Sequence, residues 1–242
     1  MPPLLYVKKG FNYAQDGPGN RLVYHLFGCN LHCPWCANPE TLFNNPAVEQ
    51  LMPDEILRQA LSAGEIMIDS GGVTFTGGEP TAQATALKEV LILLNENEIH
   101  TAVQTNGTSA ELPDLLSLLS LLIIDFKHYD DKKHKEVIGV SNAPIIENIK
   151  IACMSGLPVW IRTPLINGFN ASDEDLAGFL KVYKTLDLEN TSFEFLPYHE
   201  YGRDKWKKLG HDYAVTDGAV SLETKKRFAE AYSAAGLRVI ST

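Results

Sequence analysis

The sequence predicts an α/β fold, specifically a partial, open-sided (β/α)6 barrel of the TIM-like kind. Short runs of β-branched and aromatic residues alternate with longer segments whose apolar residues recur at helical spacing. This order is typical of parallel strands joined by crossover helices. Six such units are fewer than the eight of a closed barrel, and they predict function at the carboxyl ends of the strands. A doubly wound open sheet is the competing architecture, and the alternation alone does not separate the two.

The individual elements follow from these runs and from helix start signals. The predicted strands are Arg21–Phe27, Gly72–Phe75, Thr101–Thr105, Leu122–Phe126, Val159–Thr163 and Ser192–Leu196, with a last one at Gly236–Ile240. The predicted helices are Pro53–Ala63, Ala84–Asn97, Ser109–Leu119, Pro144–Met154, Ser172–Leu186 and Leu222–Ala235. Pro53 suits a first helical turn, and Ser172 with the acidic residues after it suits an N-cap. Leu87, Val90, Leu91 and Leu94 share one helical face.

Length and composition predict one globular domain. The chain has 242 residues, of which 45% are hydrophobic, and its mean hydropathy is −0.10, which excludes intrinsic disorder and collagen-like structure. We expect a single domain over residues 1–242, with residues 1–20 preceding the barrel. The 21 basic and 30 acidic residues give a net charge of −9, which disfavours nucleic acid as a partner.

The apolar residues predict a cytoplasmic protein without membrane contacts. No stretch approaches the roughly 20 apolar residues that a membrane span needs. The longest runs are short, such as 118–124, which Ser120 interrupts. The first residues lack the charged start, long apolar run and small-residue cleavage site of a secretion signal.

The cysteines predict a metal site. Cys29, Cys33 and Cys36 lie within eight residues, directly after the first predicted strand, whereas Cys153 lies among apolar residues of a predicted helix. Disulfides are rare in a reducing cytosol and spread their cysteines along a chain. Three thiolates at this spacing can hold a [4Fe–4S] cluster with one iron left for an outside ligand. We expect Cys153 to be a buried structural thiol.

Zinc is the alternative reading of the same cysteines. His32 or His25 would complete a Cys₃His site, and the protein would then be a non-catalytic interaction protein. Structural zinc sites usually pair two cysteine knuckles, and this sequence has no second knuckle. A zinc protein would be colourless, whereas an iron–sulfur protein isolated without oxygen is brown.

Two motifs resemble those of the radical SAM (S-adenosylmethionine) enzymes. The Cys-x₃-Cys-x₂-Cys spacing after a first strand resembles the family's signature. Gly77-Gly78-Glu79-Pro80 is similar to the family's GGE(P) turn after the second strand. The resemblance implies that the three cysteines hold one [4Fe–4S] cluster and that S-adenosylmethionine binds the fourth iron. It also implies that the glycine turn holds the amino group of the methionine moiety.

Further segments resemble the glycyl-radical-enzyme activating enzymes within that family. They are Asp16-Gly17-Pro18-Gly19, Gln104-Thr105-Asn106-Gly107, Asp125-Phe126-Lys127, His134 with Gly139, Trp160-Ile161-Arg162 and Leu196-Pro197-Tyr198-His199-Glu200. The resemblance runs from about Phe11 to the C-terminus. It implies an anaerobic oxidoreductase that cleaves S-adenosylmethionine reductively to a 5′-deoxyadenosyl radical. That radical takes a hydrogen from a glycine of a partner such as pyruvate formate-lyase, with flavodoxin or ferredoxin as electron donor.

The resemblance also implies roles for single residues. The cofactor-binding set is Trp35, Ala37, Asn38, Gly77, Gly78, Glu79, Thr105, Asn106, Asp125, Lys127, Arg162 and His199. Within it, Trp35 would meet adenine, Arg162 the carboxylate of the cofactor, and His199 the ribose or adenine. Asp16 and Tyr198 are the candidates for contact with the substrate polypeptide. No catalytic side chain is expected, because the radical chemistry belongs to the cofactor.

Several of these residues also have a purely structural reading. The alternatives are a core aromatic for Trp35, a turn for Asn38 and for Asp16, a surface ion pair for Asp125 with Lys127, and simple hydrogen bonding for His199. The run Lys132-Lys133-His134-Lys135 predicts a solvated helix surface.

Two features of this sequence differ from those of other activating enzymes. Gln104 stands where the closest members carry an aspartate that helps bind a monovalent cation, and the lost charge disfavours a cation site here. No cysteine lies between Cys36 and Gly77, so the ferredoxin-like insert of other members is absent and one cluster is expected. The alternative within the family is a minimal enzyme acting on a small molecule, such as a 7-carboxy-7-deazaguanine synthase-like enzyme. The Asp-Gly-Pro-Gly and Tyr-His-Glu segments favour the activating class.

Overall fold

The chain forms two compact units. A computed structural model describes residues 2–43 and 45–241. The first unit comprises Met1–Asn30, Asn38–Thr105 and Ser109–Ile123. The second comprises Leu31–Ala37, Asn106–Thr108 and Ile124–Thr242. The chain passes between the units five times, and one of these points, after Ile123, falls within a strand.

The first unit is a mixed sheet with helices on its crossover connections. Its strands are β1 (Leu4–Tyr13), β2 (Asn20–Leu26), β3 (Glu49–Leu51), β4 (Gly72–Gly77), β5 (Thr101–Thr105) and the start of β6 (Leu121–Asp125), in the order β3-β1-β2-β4-β5-β6. Its helices are α1 (Pro53–Ser62) and α2 (Ala84–Glu96), with short 3₁₀ helices at Pro39–Thr41, Pro80–Gln83 and Leu112–Leu118. Strand β1 is antiparallel to β2 and β3, whereas β2, β4 and β5 are mutually parallel.

The second unit continues the alternation of helices with parallel strands. After the end of β6 come α3 (Asp131–Ile138), α4 (Ala143–Met154), β7 (Val159–Leu165), α5 (Asp173–Tyr183), β8 (Thr191–Pro197), α6 (Arg203–Lys208), α7 (Leu222–Ala234) and β9 (Arg238–Val239). The order is β6-β7-β8-β9, and the pairs β7–β8 and β8–β9 are parallel.

Each unit has its own apolar core. In the first, the predicted face of α2 is fully buried, since Leu87, Val90, Leu91 and Leu94 are all 0% exposed. In the second, aromatic rings fill the space between helices and strands, with ring centroids 4.7 Å apart for Tyr183 with Phe193 and for Phe195 with Tyr232. Burial of a parallel strand on both faces explains why β6, Leu-Leu-Ile-Ile-Asp, is a near-continuous apolar run.

The predicted fold class is confirmed. Among the described residues, β3 in the first unit and β9 in the second each pair with one strand only, so the sheet is open. From β4 onward the strands of each unit follow in chain order, without the reversal of a doubly wound sheet. All seven predicted strands are present, with ends that shift by at most two residues.

Four elements differ from the sequence predictions. Strands β1 and β3 and helix α6 were not predicted, and the segment predicted as a helix over 109–119 is a 3₁₀ helix with Pro113 in its first turn. The run 132–135 does lie on a helix, α3, but the prediction of a wholly solvated surface is wrong. His134 is fully buried, and its Nδ1 lies 2.7 Å from the carbonyl oxygen of Val140.

Within the described residues, no single helix is both long and apolar enough to cross a membrane. The pair α3 and α4, bent by 114° at the break between them, satisfies the combined length and composition of a span.

Candidate functional site

The second and third cysteines lie on a tight turn in the second unit. The backbone N–H of Cys36 donates to the carbonyl oxygen of Cys33 at 3.0 Å, which fixes the spacing between the two thiols. The backbone N–H of His32 donates to the carbonyl of Ile138 at 3.4 Å and ties the turn to the end of α3. The thiols of the motif are therefore presented by an ordered loop.

The donor set fits an iron–sulfur cluster. Cys29, Cys33 and Cys36 form no disulfide and are partly exposed, whereas Cys153 is buried and burial raises the pKa of its thiol. Within residues 2–43 and 45–241, no three His, Cys, Asp or Glu side chains are grouped to hold a single metal ion. In a [4Fe–4S] cube each thiolate binds a different iron, so three cysteine thiols are the right chemical ligands for such a cluster without sharing one metal ion.

The Gly-Gly-Glu turn packs against the backbone that leads into the cysteine loop. Gly77 has φ +109°, and a Cβ on Gly78 would lie 2.1 Å from the carbonyl oxygen of Gly28. The backbone N–H of Gly78 donates to Leu26 at 2.9 Å, and that of Glu79 donates to Gly28 at 2.7 Å. The two glycines therefore permit close backbone contact with the residues just before Cys29.

Gly78→Ala is expected to destabilise the protein by at least about 2 kcal/mol, because the new Cβ forces backbone atoms apart. Gly10→Ala is the matched control, since a Cβ on Gly10 would have no atom within 4 Å. Urea unfolding of both variants checks the difference. Equal stability of the two variants would contradict the role given to the turn.

Glu79 anchors this turn by its side chain. The carboxylate is 2% exposed and accepts from Thr81 N at 3.0 Å, Thr81 Oγ1 at 2.6 Å and Thr105 Oγ1 at 2.6 Å. The hydroxyl of Thr76 donates to the side-chain oxygen of Gln104 at 3.4 Å. The ends of β4 and β5 are thus joined through Glu79 and Thr105, which are both predicted cofactor residues.

Two predicted cofactor residues have turn-forming contacts. The side-chain oxygen of Asn106 accepts from Thr108 N at 3.0 Å and from Thr108 Oγ1 at 2.7 Å. The carbonyl of Asn38 accepts from Thr41 N at 3.0 Å and opens the 3₁₀ turn that follows. The side-chain oxygen of Asn38 accepts from Lys8 at 2.9 Å. These contacts agree with the turn reading of Asn38.

Asp125 and Lys127 form a largely buried ion pair at the end of β6. Lys127 Nζ lies 2.8 Å from Asp125 Oδ2, and the two side chains are 8% and 22% exposed. The alternative interpretation of Asp125 and Lys127 as a surface ion pair is therefore wrong. The other carboxylate oxygen of Asp125, Oδ1, is buried and accepts no hydrogen bond within the described part of the chain. A buried acceptor of this kind suits a ligand hydroxyl, such as those of a ribose.

Arg162 pairs with a residue that the sequence did not single out. Its Nε donates to Glu194 Oε2 at 2.6 Å, directly across the β7–β8 register, and the side chains are 4% and 3% exposed. The guanidinium also lies 5.9 Å from the ring centroid of Trp160. Arg162 is therefore oriented by its own fold, which presets the direction of its remaining N–H groups.

The aromatic candidates of the second unit are half-buried or exposed. The ring of Trp35 packs 5.0 Å from that of Phe169, so it is partly a packing residue. His199 is exposed and stacks on Tyr201 at 4.2 Å, and desolvation lowers its pKa. The hydroxyl of Tyr198 lies 3.0 Å from that of Tyr213.

The Asp16 loop is supported by a buried arginine. Arg21 is 0% exposed, and its guanidinium donates to Thr74 Oγ1 at 2.6 Å, Val73 O at 2.8 Å and Pro18 O at 3.2 Å. Thr74 in turn donates to the carbonyl of Asp16 at 2.7 Å. The Asp16 carboxylate accepts from Asn12 at 2.5 Å and remains partly exposed. The loop is therefore ordered, and its carboxylate lies at the surface.

His100 is expected to make stability depend on pH. Burial, and next the charge of Arg21, lower the pKa of His100 from 6.5 to about 4. The unfolded state therefore binds a proton at His100 near pH 6.5, whereas the folded state does so only near pH 4. The contribution of neutral His100 to the free energy of unfolding is present above pH 6.5 and is lost as the pH falls towards 4. His100→Gln should flatten the fall in urea midpoint across that interval, whereas the exposed His211→Gln should not. An unchanged slope in His100→Gln would refute the assignment.

Comparison with known proteins identifies the family. A family model described as the Radical SAM superfamily matches residues 23–180, more than half of the chain. The chain belongs to the radical SAM superfamily. It is 35% identical over 211 residues to the pyruvate formate-lyase-activating enzyme of Streptococcus mutans, an alignment that covers 83% of this chain and 79% of that protein. This radical SAM protein therefore also belongs with the activating enzymes.

Solved structures agree with this assignment. A domain of a pyruvate-formate lyase-activating enzyme from Bacteroides vulgatus matches with a TM-score of 0.59 and 28% identity, over 70% of this chain and 98% of that one. A radical SAM methyltransferase from Sphaerobacter thermophilus shares the fold, with a TM-score of 0.65 and 17% identity, over 95% of this chain and 67% of that one. The family implies a [4Fe–4S] cluster and S-adenosylmethionine as cofactors of this radical SAM protein, as the sequence predicted.

Proposed function

We propose that this chain activates a glycyl radical enzyme by abstracting a hydrogen atom from a glycine of that partner. The observation that carries the proposal is the 35% identity over 79% of the length of a pyruvate formate-lyase-activating enzyme. Pyruvate formate-lyase or a relative is the partner that this similarity supports. When bound, the cluster and S-adenosylmethionine supply a one-electron reductive cleavage to a 5′-deoxyadenosyl radical.

The residues of this chain bind and orient these groups. We assign the cluster to Cys29, Cys33 and Cys36, whose partly exposed thiols form no disulfide and carry the family's spacing. We assign the ribose to Asp125 with Lys127, because Asp125 Oδ1 is a buried acceptor to which none of the described residues donates a hydrogen bond.

The remaining cofactor contacts follow the family motifs. The methionine end of S-adenosylmethionine is assigned to the Gly77-Gly78-Glu79 turn with Thr105 and Asn106, and its carboxylate to Arg162. The adenine is assigned to Trp35, Ala37 and Asn38 with His199. Asp16 and Tyr198 are assigned to the partner polypeptide, and the partly exposed carboxylate of Asp16 suits such a contact.

We also propose the domain extent, the cellular compartment and the electron donor of the protein. We assign residues 1–242 to one radical SAM domain working in the anaerobic cytoplasm, with flavodoxin or ferredoxin as the electron donor. Gln104 provides an amide oxygen where a charged ligand would favour a cation, so no monovalent cation is assigned to it. The small-molecule alternative is not favoured, because the relatives of the chain are activating enzymes.

Release of 5′-deoxyadenosine tests the proposal. Anaerobically reconstituted protein is incubated with a strong reductant and S-adenosylmethionine, with and without a peptide copied from the glycine loop of pyruvate formate-lyase. We expect release that requires the reductant and increases with the peptide. A protein that carries its cluster yet releases no 5′-deoxyadenosine under either condition would contradict the proposal.

A further inference from the structure

Helix α6 donates two side-chain hydrogen bonds to the end of the cysteine loop. The indole N–H of Trp206 donates to the carbonyl oxygen of Cys36 at 2.9 Å. The ammonium of Lys205 donates to the carbonyl oxygen of Ala37 at 2.8 Å. Two neighbouring residues of one helix therefore hold two consecutive carbonyls, the first of which belongs to the third cysteine of the motif.

The glycine that precedes the helix allows the helix to approach the cysteine loop closely. A Cβ on Gly202, the residue before α6, would lie 2.2 Å from the carbonyl oxygen of Cys36. Any larger residue at this position would push the loop and the helix apart. Gly202 has φ −82°, so the glycine is needed for its lack of a side chain and not for its backbone angle.

The helix is held by side-chain contacts and not by burial of its own residues. It is only six residues long, with the sequence Arg-Asp-Lys-Trp-Lys-Lys, and buries none of them. Packing of its own apolar face therefore does not explain its place in the fold. The ring of Trp206 also packs edge-to-face with those of His211 and Tyr213, with centroids 6.4 and 6.3 Å away. These contacts hold the indole where its N–H meets Cys36.

Such contacts have known consequences at metal centres. Groups that hold a ligand from outside fix its orientation, and their loss typically weakens metal binding by about 10- to 100-fold. The reduction potential of an iron–sulfur cluster also depends on the local charge and hydrogen bonds. Lys205 is half-buried and places a positive charge one residue beyond Cys36, whereas Lys207 on the same helix is exposed.

We propose that Trp206 and Lys205 are positioning residues for the third cysteine ligand, and that the Lys205 ammonium raises the reduction potential of the cluster. The inference rests on the proposed function only in requiring that Cys36 binds a cluster. It deepens that function by assigning to α6 the retention and the redox tuning of the cluster. Neither residue was among those that the sequence motifs indicated.

Cluster retention is the first test. The wild type, Trp206→Phe, Lys205→Met, Lys205→Arg and Lys207→Met are reconstituted anaerobically, and loss of the visible iron–sulfur absorbance to an iron chelator is timed. We expect Trp206→Phe and Lys205→Met to lose the cluster about 10- to 100-fold faster than the wild type. Lys205→Arg should restore retention, because arginine keeps the charge and the donor. Lys207→Met also removes one positive charge from α6 but leaves the hydrogen bond of Lys205 to Ala37 in place. It should therefore retain the cluster as the wild type does.

The reduction potential is the second test, and a merely structural contact would not move it. We expect a lower potential in Lys205→Met than in Lys207→Met, with Lys205→Arg close to the wild type. Equal retention and equal potential in all variants would overturn this inference while leaving the proposed function intact. A wild type that binds no cluster would overturn both. If Trp206→Phe fails to fold by circular dichroism, the Lys205 and Lys207 pair decides alone.

Discussion

Replacing Cys29, Cys33 or Cys36 by alanine is expected to abolish 5′-deoxyadenosine release, whereas Cys153→Ala is expected to retain it. A cluster with one cysteine fewer loses an iron ligand, and no other thiol lies in the loop to replace it. Cys153 lies apart, buried on α4, with its sulfur 3.3 Å from the hydroxyl of Thr191. The iron content and the release assay are measured together on each variant.

The four variants are matched because each removes one thiol. Cys153→Ala controls for general damage, since it removes a buried group and is expected to cost stability without touching the cluster. Release retained in any of the three motif variants would refute the cluster assignment. Loss of iron in Cys153→Ala with a folded protein would refute the structural role of that thiol.

Glu194→Gln is expected to destabilise the protein by about 3–5 kcal/mol, because it removes one charge of a buried ion pair whose atoms lie 2.6 Å apart. The side chains are 4% and 3% exposed, so water does not replace the lost carboxylate. Guanidinium or urea unfolding measures the change. The exposed Glu189→Gln serves as the control and is expected to shift stability by less than about 0.5 kcal/mol.

A double variant separates the stability of this pair from its function. Arg162→Met with Glu194→Leu removes both charges, and apolar replacement of a buried pair is often close to neutral for stability. We expect the double variant to regain most of the stability lost in Glu194→Gln but to bind S-adenosylmethionine poorly, because Arg162 is assigned to the cofactor carboxylate. A double variant as unstable as Glu194→Gln would contradict the account of a charge left unpaired.

The parallel strands were predictable because their signal is local. Runs such as Val159–Thr163 combine β-branched and aromatic residues between turn residues, and the pattern fixes both the class and the approximate ends. The cysteine loop was predictable for the same reason, since three thiols in eight residues are rare outside metal sites. By contrast, strand β1 was not predicted, because its Lys8-Lys9-Gly10 segment has a low strand propensity. This strand forms by pairing with β2.

The contacts across strands and loops were not predictable from local patterns. Glu194 becomes the partner of Arg162 only through the β7–β8 register. Trp206 and Lys205 reach Cys36 and Ala37 across about 170 residues of chain, as sequence separations of 170 and 168 show. A glutamate within an aromatic strand was the one signal that could have indicated a buried charge pair.

His134 shows how a composition rule fails. Three lysines around it indicate a solvated surface, and those lysines are exposed or form ion pairs at the helix surface. The helical period nevertheless turns His134 inward, where burial lowers its pKa. The exposure of the lysines in such a run therefore does not predict the exposure of the histidine among them.

The most direct test of the central claim is the electron paramagnetic resonance signal of a glycyl radical on a partner enzyme. Reconstituted protein, a reductant and S-adenosylmethionine are incubated anaerobically with purified pyruvate formate-lyase. The same enzyme with its target glycine replaced by alanine serves as the control. The account predicts a glycyl radical signal that requires S-adenosylmethionine and the target glycine. Absence of that signal across pyruvate formate-lyase and other glycyl radical enzymes, from a protein that does release 5′-deoxyadenosine, would contradict it.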